Sequence, residues 1–144
     1  MTKNTGSRLD KDTLMALLQA HDRVRRHFSE ILREWDLTLQ QFNVLRILRG
    51  AAPEALPTLE IAARMIEKTP GASRLVDRLQ AQGLVHRERC PEDRRRVLCR
   101  PTDRALELLA ELDEPIARAD SACLAQLSDS EKRQLQELAS QIAT

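Results

Sequence analysis

Aromatic residues are almost missing from this chain of 144 residues, which has no tyrosine, one tryptophan and two phenylalanines. Its core must therefore be aliphatic, and the 42% hydrophobic content supplies Leu, Ile, Val and Ala for packed helices. Long apolar runs are absent as well, which excludes a helical membrane span, and the opening residues show no signal-peptide pattern. Cysteine is scarce: Cys90, Cys99 and Cys123 make an odd number without paired spacing. That is no secreted disulfide framework, and the cytoplasm is the expected compartment. The signatures of chemistry are missing too, with no phosphate-binding loop, no nucleophile-elbow serine and no metal-ligand helix. Neither an enzyme nor a cofactor is expected. Zinc held by His86, Cys90 and Cys99 would fit no common structural spacing, so no metal is expected either.

Net charge is nearly absent, at +1, although 31% of residues are charged. The charge is unevenly spread. Residues 1–68 hold 11 Lys and Arg against 9 acids, residues 69–100 hold 8 arginines against 4 acids, and residues 101–144 hold 4 bases against 9 acids. A segment at net +4 ahead of a segment at net −5 is the footprint of a nucleic-acid reader on an acidic body. A solvated charge run, the plainer alternative, would mix both signs.

The length suggests one domain. Residues 1–8 are polar and expected to fray. From Asp10 to Trp35 the apolar positions Leu14, Leu17, Leu18, Val24, Phe28, Ile31, Leu32 and Trp35 trace one stripe of a long amphipathic helix. Thr38 and Gln41 make a capping box flanked by a Leu37/Phe42 staple, opening a second helix that Gly50 should stop. Ala51–Pro57 reads as a loop. Thr58 reads as the N-cap of a short helix, Leu59–Met65, packing through Leu59, Ala62 and Ala63. After a turn, Thr69-Pro70 is a second start signal, and the helix runs to about Gln82, buries Leu75, Val76 and Leu79, and stops at Gly83. Helix, three-residue turn, helix is the spacing of a helix-turn-helix.

A β-like pair follows, Leu84–Arg89 and Arg96–Arg100, around a charged turn at Cys90–Arg95; Pro101 should end the ladder. A hairpin directly behind a helix-turn-helix is a wing. Thr102 caps another long helix, which Pro115 should kink. Ser128 and Glu131 make a capping box for a terminal helix. The expected fold is mainly α with a small β-hairpin wing. Its parts are a dimerisation helix over 1–36, a winged helix-turn-helix over 37–101 (helix-turn-helix 58–82, wing 84–100), and dimerisation helices over 102–144. The apolar stripes at the two ends exceed what some 70 residues of winged helix need, so a second copy should bury the excess.

The second helix of the motif should enter the major groove of double-stranded DNA with its first residues toward the bases. Thr69 and the first N–H groups lie at the positive end of a helix, which favours phosphate. Gly71 gives room for close approach, Ser73 offers a short hydrogen-bonding group, and Arg74 is able to grip guanine bidentately. Arg78, one turn on, reaches toward the backbone. For both arginines the alternative is a solvent face, or a salt bridge to Asp77 or Glu88. In the wing run Asp93-Arg94-Arg95-Arg96, Asp93 should clamp Arg95 or Arg96, leaving one of Arg94 and Arg95 for the minor groove.

These segments resemble the MarR family of bacterial regulators. The resemblance lies in Leu37-Thr38-Leu39-Gln40-Gln41-Phe42-Asn43-Val44-Leu45, the stretch from Thr69 to Leu79, Gly83-Leu84-Val85, Pro91-Glu92-Asp93-Arg94-Arg95 and Leu127–Glu131. It covers nearly the whole chain in order. The resemblance implies a triangular homodimer with wings outward, binding pseudo-palindromic operators and usually repressing, released in many members by a phenolic or other small anion. Pro101, where the family commonly has a strand residue such as Leu, and Ala105, where it often has Gly, depart from the pattern at the exit of the wing.

An effector pocket should lie between the first helix, the second helix and the reading head, with His21, Arg25, His27 and Trp35 as candidates. The alternative for such residues is a hydrogen bond across the subunit interface. A redox switch would use Cys90, beside Arg89 at the wing, or Cys123 near its dimer mate. The oxidation-sensing members of the family carry their cysteine in the first helix, where this chain has none. A protein-interaction module without DNA binding remains the rival to a DNA reader.

Overall fold

The computed structural model describes residues 6–67 and 71–144. In chain order it contains α1 (Arg8–Arg33), α2 (Leu39–Ala51), β1 (Leu56–Pro57), α3 (Thr58–Arg64), α4 (Ala72–Ala81), β2 (Val85–Arg89), β3 (Val97–Pro101), α5 (Asp103–Cys123) and α6 (Asp129–Ile142). It is a mainly helical fold with a three-stranded antiparallel sheet of order β1-β3-β2.

Capping chemistry sets most of the helix boundaries. Ser7, Thr38 and Ser128 each accept from the N3 backbone while the N3 side chain, Asp10, Gln41 or Glu131, returns the bond to the cap N–H. Four orphan donors at each helix start would otherwise be unmet. The Ser7 box means that residues 7 and 8 do not fray as expected. At the far end of α1 the chain turns after Arg33, with Asp36 left-handed at φ 58°, so Trp35 belongs to a turn and not to the helical stripe.

Other local expectations need correction as well. Gly50 does not stop α2, which continues to Ala51. The loop expected at Ala51–Pro57 ends in a strand: Leu56 pairs with Cys99 and Pro57 with Leu98. That pairing makes Pro57 the N-cap residue of α3 and draws Thr58 into its first turn, its hydroxyl 3.8 Å from the Cys99 sulfur. The packing face of α3 is shifted accordingly. Leu59 is 85% exposed and Ala63 is exposed, while Ile61 and Met65, one turn apart, are buried. The reading helix α4 begins at Ala72 with Gly71 at the N-cap position, short of the start expected at Thr69-Pro70, which lies outside the described residues.

Gly83, at φ +74°, closes α4. The Gly83 N–H donates to the Gln80 carbonyl and the Leu84 N–H to the Leu79 carbonyl, at 3.0 and 2.9 Å. This is a Schellman turn, which only a left-handed residue completes cheaply. Pro101 does not end the ladder; it forms the last rung with Val85. The Thr102 N–H bonds to the Leu84 carbonyl, so the Pro101 nitrogen points to the other side, past the end of β1, where no ladder bond is lost. Thr102 then caps α5 through Ala105 and donates its hydroxyl to the Gly83 carbonyl at 2.8 Å, so the two departures from the family pattern leave this corner well bonded. Pro115 lies inside α5 without ending it.

The core of the described residues is one mostly aliphatic cluster, with Phe42 as its buried aromatic, contributed by α1 through Leu32, by α2, α3, α4 and the sheet, and by α5 through Leu109, Leu112 and Ile116. Each fully buried leucine of this set, Leu45 and Leu79 among them, contributes roughly 1.5–3 kcal/mol by leaving water. The outer ends of the chain are different. On α1, Leu14, Leu17 and Leu18 are exposed, and α6 buries none of its residues, leaving Leu135, Leu138 and Ile142 in the open. Among the described residues no helix is long and apolar enough to cross a membrane.

Candidate nucleic-acid interface and effector cleft

Helix α4 packs inward through Ala72, Leu75, Val76 and Leu79. That leaves Ser73, Arg74 and Arg78 on its exposed face, with Gly71 half-buried at its start. Thr69, the other residue expected here, lies outside the described residues. Neither Asp77 nor Glu88 pairs with Arg74 or Arg78. Asp77 is held by Arg87, and Glu88 takes Arg100 through two nitrogens at 2.8 and 3.0 Å. Among the described residues Arg74 and Arg78 have no ion-pair partner, so both guanidinium groups face outward uncompensated.

The wing is the hairpin β2–β3, in register from Val85↔Pro101 to Arg89↔Val97. Asp93 holds its tip, though not by the expected contact with a guanidinium group. Its carboxylate accepts from the Arg95 backbone N–H at 3.1 Å, and its carbonyl accepts from the Arg96 N–H at 3.0 Å. The Cys90 N–H closes the turn on the Arg96 carbonyl at 2.9 Å. Holding the turn through backbone leaves Arg94, Arg95 and Arg96 all exposed, and none has an ion-pair partner among the described residues.

Sequence reasoning missed Arg87. Its Nη1 donates to Asp77 and, at 3.3 Å, to Gln80, tying mid-hairpin to α4. Strand alternation alone puts Arg87 on the inner face with Val85, but its partners are ten and seven residues away and no local pattern names them.

The cysteines divide by burial. Cys99 is fully buried, and burial pushes its thiol up, partly offset by the Thr58 hydroxyl and the charge of Arg87. A raised thiol stays protonated at neutral pH and is a poor nucleophile. Cys90 and Cys123 are half-buried. Under iodoacetamide at pH 8, Cys90 is expected to be alkylated in the folded protein and Cys99 only after urea unfolding, as peptide mass mapping will read; comparable rates at both sites would contradict the burial. His86 pairs across the hairpin with Arg100 whereas Cys99 pairs with Arg87, so His86 and Cys99 point to opposite faces of the sheet. Among the described residues no three His, Cys, Asp or Glu side chains are grouped to hold a metal.

A cleft of about 690 Å³ opens between α1, the start of α2 and the segment that follows α3. His21 and Arg25 line it, with Phe28 and Phe42 as aromatic walls and Ile66 and Glu67 at the reading-head side. Trp35 does not line it; it packs half-buried on the core. His27 faces a separate recess with Arg23, Arg26 and Cys123. Arg25 is loosely paired with Asp22 at 3.5 Å, and the Arg46 guanidinium sits 5.5 Å from the centre of the Phe42 ring.

A helix pair whose second member shows an open arginine face, backed by a hairpin with an arginine tip, defines a winged helix-turn-helix protein. The pattern of the MarR family matches residues 35–96. A MarR transcription factor from Planctomyces limnophilus is 38% identical, the match covering 90% of this chain and 94% of that one with a TM-score of 0.73. The regulator MgrA of Staphylococcus aureus is 28% identical over 131 residues, 90% of this chain and 86% of its own. A mutant MarR from E. coli, crystallised with operator DNA, superposes with a TM-score of 0.83 at 23% identity, over 90% of this chain and 92% of its own. The chain belongs to the MarR family: it is a transcriptional regulator, not an enzyme.

Proposed function

We propose that the protein is a homodimeric DNA-binding regulator, a repressor, that reads a pseudo-palindromic operator in the cytoplasm. The observation that carries this reading is the open face of α4, where Ser73, Arg74 and Arg78 stand exposed while the neighbouring acids are occupied by other arginines. In this reading α4 lies in the major groove, with Gly71 at its phosphate end and Ser73 and Arg74 toward base edges. Arg78 contacts the backbone, and Arg94 or Arg95 enters the adjacent minor groove. The exposed apolar faces of α1 and α6 support pairing through residues 1–36 and 102–144, with residues 37–101 as the reading unit. The E. coli relative crystallised on operator DNA supports the same assignment.

The cleft supports a small phenolic or other anionic effector, with His21 and Arg25 meeting the anion between Phe28 and Phe42. Control through Cys90 or Cys123 is the alternative switch, since both thiols are half-buried rather than sealed.

The test is selection from random double-stranded oligonucleotides, followed by anisotropy on the winning sequence over a salt series. A two-fold-symmetric site with half-sites about 10 bp apart is the expected result. Arg95→Ala is expected to weaken that binding and lower the salt slope, as loss of a backbone or groove cation does. No selection above background at low salt, with the protein shown to be folded, would sink the DNA reading and leave a winged helix that binds protein.

A further inference from the structure

The wing and the reading helix contact DNA in neighbouring grooves, so their mutual setting must match the geometry of the duplex. The chain between them is short: only Gln82, Gly83 and Leu84 separate α4 from β2. Backbone bonds close that corner, but they lie at the base of the hairpin, far from its tip. The contact placed further out is Arg87, halfway along β2. Its Nη1 donates both to the Asp77 carboxylate and to the Gln80 amide oxygen on α4. On the opposite face of the same hairpin, Arg100 takes Glu88 and reaches the Pro53 carbonyl at 3.2 Å, holding the sheet to the loop after α2. The hairpin is thus tethered on both faces, and of these two tethers among the described residues the Arg87 one runs to the reading helix.

We propose that Arg87 is a positioning residue that fixes the wing against α4, and thereby sets the step from the bases read by Arg74 to the groove entered by the wing arginines. The inference rests on the DNA-binding reading given above and adds to it the residue that keeps two contacts in register. At about 3.3 Å per strand residue, the tip lies roughly 15 Å beyond Arg87, so a tilt of about 10° at the tether moves the tip by roughly 2–3 Å. Such a shift is the length of a hydrogen bond, enough to lose a phosphate or minor-groove contact.

Stability alone gives the pair little reason to exist. Arg87 is 24% exposed and Asp77 is 60% exposed, and an ion pair so open to water adds little to folding. Its position does more. Asp77 lies one turn along α4 from Arg74, and its negative charge, left unpaired, would stand beside the DNA backbone. Arg87 both neutralises it and uses it as the anchor.

The test combines anisotropy on the selected site with hydroxyl-radical footprinting, for the wild type, Arg87→Ala, Arg87→Lys and Asp77→Asn, and for Arg87→Ala combined with Arg95→Ala or with Arg74→Ala. Arg87→Ala is expected to weaken binding about tenfold, to lose the wing footprint and to keep protection where α4 lies, with the melting temperature unchanged. Removing Arg95 in that background should cost nothing further, whereas removing Arg74 should cost as much as it does in the wild type. Both hydrogen bonds leave from one nitrogen, so the single ammonium of Arg87→Lys is expected to restore the wing footprint and binding to within about threefold of the wild type. Residual dipolar couplings of the DNA-free protein should show wing amides reoriented relative to α4 in Arg87→Ala and Asp77→Asn. Loss of all protected regions together with a fall in melting temperature would overturn the proposal, as would an intact wing footprint or additive loss with Arg95→Ala. If the wild type selects no DNA at all, the DNA-binding reading fails, and the dipolar couplings still report whether Arg87 sets the wing.

Discussion

Leu138→Glu is expected to convert the protein from a species of about twice 16.4 kDa to a monomer in analytical ultracentrifugation, and to cost it about two to four orders of magnitude in operator affinity. The reasoning begins with α6. An isolated helix of 14 residues is marginal in water, and this one buries no residue against its own chain. Leu135, Leu138 and Ile142 fall on one edge at helical spacing, and Leu138 is 58% exposed. An apolar edge on a helix that cannot stand by itself calls for an apolar partner, and the exposed Leu14, Leu17 and Leu18 of α1 are of the same kind. A buried glutamate at that contact would be an unpaired charge, which interfaces do not tolerate. A monomer then grips one half-site and forfeits the gain of having the second reading head already in place. Leu59→Glu is the control. Leu59 is even more exposed, at 85%, but lies on the outer face of α3, so the variant should stay dimeric. A Leu138→Glu protein that remains a dimer would show that α6 is not part of the interface.

Arg74→Ala is expected to relax the sequence preference at one base pair in each half-site. A bidentate arginine–guanine contact is worth roughly 1–3 kcal/mol of discrimination, and two-fold symmetry applies the loss twice, so affinity for the best site should fall at least about thirtyfold. Salt dependence separates base from backbone. If Arg74 reads a base, the slope of log K against log salt stays near that of the wild type; if it holds phosphate, the slope falls by about two, one for each subunit. The same variant should bind random DNA almost as well as the wild type does. An equal loss on all sequences would assign base reading to other residues.

How much of this was legible in advance depends on the range of the interaction that decides each feature. The capping boxes at Thr38 and Ser128 are local and could be read directly. The one at Ser7 has the same form with Asp10 in place of Glu, and the expectation of a frayed start passed over it. The left-handed stop at Gly83 and the hairpin behind it follow from short-range signals, as does the inward face of α4, and these fix where Arg74 and the wing arginines stand. Strand β1 is different: two residues, one of them proline, carry no periodicity, and the distant pairing of Leu56 with Cys99 and Pro57 with Leu98 is what makes them a strand. That distant pairing also accounts for the misread start and face of α3. The Arg87 tether is tertiary in the same sense. The Asp93 clamp was expected at the right residue but in the wrong chemistry, because an aspartate at a turn satisfies backbone N–H groups before it reaches a flexible guanidinium. Trp35 looked like the end of a stripe because periodicity does not announce where a helix stops.

Gln41, the one buried polar side chain among the described residues, joins three helix ends. Its amide oxygen accepts the Thr38 N–H, its amide nitrogen reaches the Gln82 side chain at 3.4 Å, and Gln82 in turn donates to the Asp36 carbonyl at 3.4 Å. The far end of the reading helix is therefore locked to the start of α2 and to the turn after α1, and these three ends must loosen together. At the opposite end, Gly71 supplies no side-chain cap. The reading helix is thus bonded to the body through side chains at its inner end and carries no side-chain cap at its outer end. In the proposed DNA-binding reading, the bonded end of this helix faces the body and the uncapped end faces the groove.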